Sequence, residues 1–305
     1  MKRKPDISVI IPSYRPGFLL GDCLDSLKKQ SLSRSKEWIV VDSSPVPIPE
    51  AFRRRHPDVA FVHLEQRTLP GRARNIGASL AKGRVLFFTD TDCVADPRWM
   101  EHLWNAHESG YEAAGGSIVN GTPESRIGTA EYLLEFNEVH PGVKRHEVRA
   151  VPSNNLAVDR AAFHAAGGFP DFMKGEDTIF CHNLIEGGGR ILFVPEARVL
   201  HRNRTALRSF VANQVALGEG SIETRRRTQR HGFFLLKWPP LVPCIPLYRT
   251  AAIALRLARS DRNLLKRYAT HFPLIGLGLF VYTWGFIRGP HRSGLSTEPS
   301  KGESL

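Results

Sequence analysis

Short charge-free runs of β-branched and aromatic residues recur through the first two thirds of the chain, alternating with segments whose apolar residues return every three or four positions. Residues 7–11 (ISVII) read as a buried strand that stops at Pro12 and the loop Ser13-Tyr14-Arg15-Pro16-Gly17. In residues 18–30 the apolar positions Leu19, Leu20, Cys23, Leu24 and Leu27 keep helical spacing, and residues 38–41 (WIVV) read as a second strand ending at Asp42. Strand, helix and strand within about forty residues predict a βαβ unit, hence parallel strands and a right-handed crossover. Residues 59–64 predict a third strand, residues 71–82 (GRARNIGASLAK) a helix, and residues 85–88 a fourth strand. Farther on, residues 115–119 and 153–158 predict strands and residues 160–166 a helix. The tandem glycines of Gly167-Gly168-Phe169-Pro170 allow a turn with positive φ, after which Phe169 packs into the core. Another helix opens at Gly175-Glu176-Asp177 and runs to Glu186. The pattern is that of an α/β fold, a Rossmann-like, mostly parallel sheet flanked by helices.

The fourth strand carries the chemistry. Val85, Leu86, Phe87 and Phe88 are followed at once by Thr89, Asp90, Thr91 and Asp92. In extended chain the side-chain period is two, so the carboxylates of Asp90 and Asp92 share one side of the backbone at the carboxyl end of the strand, the edge where open α/β sheets bind ligands. Two carboxylates there repel unless a positive group lies between them, and a hard divalent cation bridging phosphates fits that need. Arg72 and Arg74 open the preceding helix, on the wrong end for the helix dipole, so an anionic ligand such as a diphosphate accounts for them better than helix stability does. Two solvated arginines on a surface turn are the alternative. Asp42 suits a ribose or base hydroxyl, or a loop-start cap. No Gly-x-Gly-x-x-Gly follows the first strand, which counts against a dinucleotide oxidoreductase.

Charge divides the chain. Residues 1–200 hold 25 Lys+Arg and 25 Asp+Glu, whereas residues 201–305 hold 17 and 5, so the net charge of +12 sits entirely in the last third. Cys23, Cys93, Cys181 and Cys244 are isolated, as thiols in a reducing cytosol are, and the N-terminal apolar run of five residues is too short for a signal peptide. The catalytic part is expected in the cytoplasm.

VIIPSYR, VVDSS, GRARNIGASLAKGRVLFFTDTDC, GGFPDFMKGEDTIF and VPEARVLH, in that order across residues 6–201, resemble the family 2 glycosyltransferases. The resemblance implies a GT-A fold that binds a nucleotide-sugar donor, with a UDP-sugar the first expectation. It implies that Pro12, Ser13, Tyr14 and Asp42 hold the nucleobase and ribose, and that Asp90 and Asp92 hold Mg2+ or Mn2+ on the diphosphate. It further implies that the Glu176-Asp177 pair supplies the general base, Asp177, and that His201 completes the metal site. From the residues alone, Asp177 serves equally as a helix cap, and a single histidine such as His201 is more often structural. The chain departs from the family where Cys181, His182 and Asn183 stand in place of a common arginine. It also lacks the Gln-x-x-Arg-Trp signature of processive synthases, although Gln214 lies in that region, so transfer of a single sugar is expected. A nucleotidyltransferase and a non-catalytic nucleotide-sugar-binding scaffold are the rival readings.

The basic third is expected to be membrane-associated. Arg225-Arg226-Arg227 and Arg230 form a basic knot, followed by FFLLKWPPLVPCIPLY, whose four prolines interrupt a long helix. Residues 268–287 are free of Asp, Glu, Lys and Arg, a length that matches a bilayer core of about 30 Å, although Pro273 and three glycines weaken it. No nucleic-acid motif accompanies the arginines, so anionic membrane lipids and no nucleic acid are the expected partners. The reading is a GT-A domain over residues 1–205, a C-terminal helical membrane-associated region over 206–288, and a disordered tail over 289–305. The implied activity is inverting transfer to a hydroxyl on a glycan or lipid-linked acceptor at the cytoplasmic face of the cell membrane.

Overall fold

The computed structural model describes residues 4–229 and 232–292, so Arg230 of the basic knot and residues 293–305 of the expected tail lie outside the described residues. The chain runs β1 (Ile7–Ser13), α1 (Leu19–Lys28), β2 (Lys36–Asp42), α2 (Glu50–Arg55), β3 (Val59–His63), α3 (Pro70–Leu80) and β4 (Val85–Thr89). It continues β5 (Cys93–Ala95), α4 (Trp99–Glu108), β6 (Ala113–Asn120), α5 (Arg126–Glu135), β7 (His146–Glu147), β8 (Asn155–Asp159), α6 (Arg160–Ala165), α7 (Glu176–Glu186) and β9 (Ile191–His201).

One sheet takes all the strands, in the order β3-β2-β1-β4-β8-β6-β9-β5, with β7 beside β9. β1 pairs in parallel with β2 and β4, and β2 with β3, as the βαβ pattern requires. Beyond β4 the sheet is mixed: β8 is antiparallel to both β4 and β6, β5 is antiparallel to β9, and β6 and β9 are parallel. The sheet is thus less parallel than its first four strands suggest. Chain order reverses between β1 and β4, which opens a crevice at their carboxyl ends.

β4 is central and its apolar side chains are wholly buried. Val85 and Phe87 face one apolar layer, with Leu20 and Leu24 of α1 and Trp99 of α4. Leu86 and Phe88 face the other, with Ala73 of α3, Phe163 of α6, Phe180 of α7, and Phe169 from the turn between those two helices. This alternation leaves no polar side on the strand, which is why the run reads as uniformly hydrophobic.

After residue 205 come α8 (Leu207–Thr228), α9 (Phe234–Lys237), a 3-10 turn (Pro239–Cys244), α10 (Ile245–Ser260), α11 (Arg262–Thr270) and α12 (Phe272–Arg292). Pro239 and Pro240 open the 3-10 turn, Pro243 lies within it and Pro246 stands in the first turn of α10, so none of them kinks a long helix. These helices form a small cluster of their own, Ile222, Leu235, Val242, Ile245, Tyr282 and Phe286, but they are also built into the main core: Phe210, Ile253, Leu257, Tyr268, Ile275 and Leu279 join the apolar layer of α1 and α4. α8 and α12 cross at glycines on both sides, since a Cβ on Gly218 would lie 2.0 Å from the Tyr282 carbonyl oxygen and one on Gly285 would lie 2.1 Å from that of Val215. Pro239–Ser260 and Phe272–Gly289 are long and apolar enough to cross a membrane, with 22% and 44% of their apolar windows buried inside the fold. Half of α12 therefore belongs to the protein. Its buried Ile275, Leu279, Tyr282 and Phe286 are matched on the opposite face by exposed Leu277, Phe280, Trp284 and Ile287. α12 also continues four residues into the stretch expected as tail.

Candidate active site

Asp90 and Asp92 follow β4 at the crevice. Arg74, on the second turn of α3, is 2% exposed and spans the site: Nη2 donates to Asp90 Oδ1 at 2.5 Å and Nη1 to Glu176 Oε1 at 3.1 Å. Arg72 points elsewhere, its exposed guanidinium 3.9 Å from Asp171. The two arginines expected at the diphosphate thus separate, one buried between carboxylates and one on the surface. Arg74 stands near a helix N-terminus because its partners are there, and the charge-assisted bonds outweigh the dipole term.

Asp92 meets His201 across the edge of the sheet, because β5 and β9 pair with Cys93 opposite His201. Asp92 Oδ2 lies 3.6 Å from His201 Nε2. The imidazole is 8% exposed, stacks edge-on against Phe136 at 4.9 Å, and shares its Nδ1 proton with Asn203 Oδ1 at 2.9 Å. Asn203 Oδ1 can only accept, so Nδ1 carries a proton and Nε2 is the nitrogen turned toward Asp92. Asn203 is itself anchored, Nδ2 donating to Asn120 Oδ1 at 2.9 Å. Ligand atoms of Asp92, Cys93 and His201 lie within 4.8 Å of one another. Burial, then the charges of Asp92 and Asp90, push the Cys93 thiol well above its usual pKa, and a hard divalent cation takes carboxylate and imidazole in preference to a soft sulfur. A carboxylate and an imidazole already oriented through its far nitrogen are donors that fit a divalent cation such as Mn2+ or Mg2+.

The other end of the crevice lies at β1 and β2. Asp42 is 2% exposed, and its Oδ1 accepts from the Ser13 and Ser44 hydroxyls at 2.8 and 2.7 Å. It caps no backbone N–H there. Pro12 is half-buried in β1, while Tyr14 stays partly exposed with the Arg67 and Arg15 guanidiniums 4.7 and 5.5 Å from its ring. Beside Ser44 a cavity of about 730 Å³ opens, lined by Arg15, Pro16, Pro45, Ile48 and Phe52 among others.

Gly175, at φ 90°, turns the chain into α7, and no side chain caps that helix. Asp177 in its first turn accepts the Thr178 N–H on Oδ1 at 2.7 Å, while Oδ2 has only the Ser153 N–H at 3.4 Å. One oxygen serves the helix and the other is weakly engaged. Glu176 is 8% exposed; burial, then the charge of Asp177, push its carboxyl up to about 7 against the pull of Arg74.

Two residues that the sequence does not single out complete this wall. Glu135 closes α5 next to Phe136, with Oε1 accepting from Asn213 and Gln214 of α8. Lys174 just precedes Gly175, and its charge acts on both Glu135 and Glu176. No local pattern marks them, since α5 and α8 are brought together only by the tertiary fold. Among the described residues Arg74 Nε, Arg202 Nη1 and Gln214 Oε1 are buried without partners; Arg74 bonds Asp90, Arg202 follows His201 in the chain and Gln214 bonds Glu135. Such orphans mark places that ligand or water completes.

The profile of glycosyl transferase family 2 matches residues 8–164. The pre-mycofactocin glycosyltransferase of Mycobacterium tuberculosis is 30% identical over 70% of this chain and 46% of its own length, so the chain spans just under half of that relative. The glycosyltransferase AglE of Haloferax volcanii is 24% identical over 77% of this chain and 80% of its own. In fold, the chain is similar to the mannosyltransferase PcManGT of Pyrobaculum calidifontis, solved with GDP-Man and Mn2+: the TM-score is 0.61 at 19% identity, covering 95% of this chain and 88% of the other. With its α/β sheet, its Asp90/Asp92 edge and this match over half its length, the chain belongs to glycosyl transferase family 2.

Proposed function

We propose that this glycosyltransferase transfers a single sugar from a nucleotide diphosphate donor to a hydroxyl acceptor with inversion, using a divalent cation and Asp177 as base. The observation that carries the reading is the buried Arg74 bridge, which holds Asp90, on the diphosphate side, and Glu176, beside the base, in one constellation. Asp177 Oδ2 receives the acceptor's proton as the acceptor oxygen bonds to the anomeric carbon and the diphosphate oxygen leaves with the bonding pair. A single in-line displacement of this kind inverts the anomeric centre. Asp92 and His201, with Asp90 alongside, would hold Mg2+ or Mn2+, which when bound neutralises charge on the diphosphate. Ser13, Tyr14 and Asp42 face the nucleoside, and Glu135 and Lys174 face the acceptor hydroxyls.

The enzyme works at the cytoplasmic face of a membrane, on a lipid-linked or surface glycan. Exposed Phe280 and Trp284 of α12, Leu247 and Tyr248 of α10, and Trp238 between α9 and the 3-10 turn enter the interface, with the arginines of the last third against anionic headgroups.

A panel of UDP-, GDP- and dTDP-sugars, scored by thermal stabilisation with and without Mn2+ and by nucleoside diphosphate release, tests the reading. One donor class should stabilise the protein in a Mn2+-dependent way and be turned over. Stabilisation and turnover by none of them, with or without the metal, would contradict it.

A further inference from the structure

The opening turns of α3 hold more than Asp90. Gly71, Arg74 and Asn75 stand at i, i+3 and i+4, one face of a helix, and all three meet the segment 168–177 that delivers Glu176 and Asp177. Asn75 Nδ2 donates to the Phe169 carbonyl at 2.6 Å and Asn75 Oδ1 accepts the Phe169 N–H at 2.9 Å, the two-way exchange that a neighbouring strand would make. At Gly71 a Cβ would lie 3.1 Å from Glu176 Cγ and 3.3 Å from the Pro170 carbonyl oxygen, so the segment rests directly on the helix backbone. The Arg74 guanidinium lies 5.7 Å from the Phe169 ring centroid while binding Glu176. Residues 168–175 contain no helix or strand of their own, and Met173 is 56% exposed, so beyond the core seat of Phe169 the segment is held by this face of α3 and by the packing of α8 on Lys174.

We propose that this face of α3 is a latch through which occupancy of the diphosphate side is felt at the base: Asn75 and Arg74 are positioning residues that hold segment 168–177, and Arg74 couples it to Asp90. The inference rests on the donor-site reading above. A cation and diphosphate at Asp90 change the charge that one end of the guanidinium meets. Because the fork is rigid and fully enclosed, its other end must respond at Glu176. Donor binding would therefore tighten the segment and set Asp177 in place before the acceptor reacts.

Hydrogen exchange on the full chain in detergent separates the parts of this claim. Without ligand, Asn75→Ala should speed amide exchange at residues 171–176 on the order of tenfold, beyond the one amide that Asn75 binds, while β4 and the melting temperature stay near wild type. Unchanged exchange there would overturn the latch. With Mn2+ and GDP, and separately UDP, the wild type should gain protection both at residues 89–93 and at 169–177. Arg74→Lys, which keeps the charge but cannot span both carboxylates, should keep the first and lose most of the second. Equal protection of 169–177 in that variant would overturn the coupling. If neither nucleotide protects 89–93 in the wild type, the donor-site reading fails and the coupling with it, while the ligand-free comparison still decides the latch. In turnover, Asn75→Ala should lower kcat with donor KM unchanged, a split that a general loss of folding would not produce.

Discussion

Asp92 Oδ2 and His201 Nε2 face each other at 3.6 Å across the β5–β9 pair, and the far side of the imidazole is held by Asn203 at 2.9 Å. Nothing in the local sequence of either partner requires this. It follows from the register that sets Cys93 opposite His201. If Asp92 and His201 hold the proposed cation, Asn203 acts on it through His201, as partners of ligating histidines do.

Asn203→Ala should therefore weaken Mn2+ binding by about 10- to 100-fold, the usual effect of removing such a partner, while leaving the sheet intact. Titration of free Mn2+ by electron paramagnetic resonance reads this directly. Wild-type affinity in the variant would remove His201 from the metal site.

Glu176 predicts a pH dependence of stability. Its folded-state pKa, about 7, lies above the ordinary 4.5 because burial and Asp177 disfavour the charge. The contribution is present in full below the unfolded value and is lost as pH rises through 7, and a shift of that size corresponds to about 3 kcal/mol. Melting curves from pH 5 to pH 8 should show wild type losing stability relative to Glu176→Gln as pH rises. Parallel profiles would mean that Glu176 ionises as freely in the folded chain as in the unfolded one.

Phe280 and Trp284, 67% and 52% exposed on the outer stripe of α12, are expected to anchor the protein on anionic bilayers. Replacing both with Glu should abolish sedimentation with phosphatidylglycerol vesicles and leave the melting temperature unchanged. Truncation after residue 205 is expected to unfold the protein instead, because it removes Phe210, Leu257 and Leu279 from the shared core. A stable truncated domain would show that the helices are accessory.

The parts of this molecule legible in its sequence are those whose signal is local. β4 announces itself because both its faces are buried, and Asp90 and Asp92 stand where a strand must end. Phe169 is 2% exposed, with its ring 5.2 Å from Phe88, as its place after tandem glycines suggests. What escapes is nonlocal. Arg74 reads, with Arg72, as a partner for an anionic ligand, and only the fold shows it buried between Asp90 and Glu176, 16 and 102 positions away. The β9 strand is broken in pattern by Pro195, Glu196 and Arg198, so His201 is found by resemblance rather than by periodicity. The glycines of α12 read as weak points in a membrane span, whereas Gly278 and Gly285 are where α12 meets Phe210 and Val215 of α8.

Asp177→Asn tests the central claim most directly. Asparagine keeps the size and can still accept the Thr178 N–H, but it cannot take a proton from an acceptor hydroxyl. With the donor identified by the nucleotide-sugar panel, the variant should bind it with wild-type affinity and melt at the wild-type temperature. Its turnover with acceptor should fall by about 10²- to 10⁴-fold, the range of general-base catalysis. Turnover within a few-fold of wild type, in a variant that is folded and binds donor normally, would contradict the account and leave Asp177 a residue of the first turn of α7.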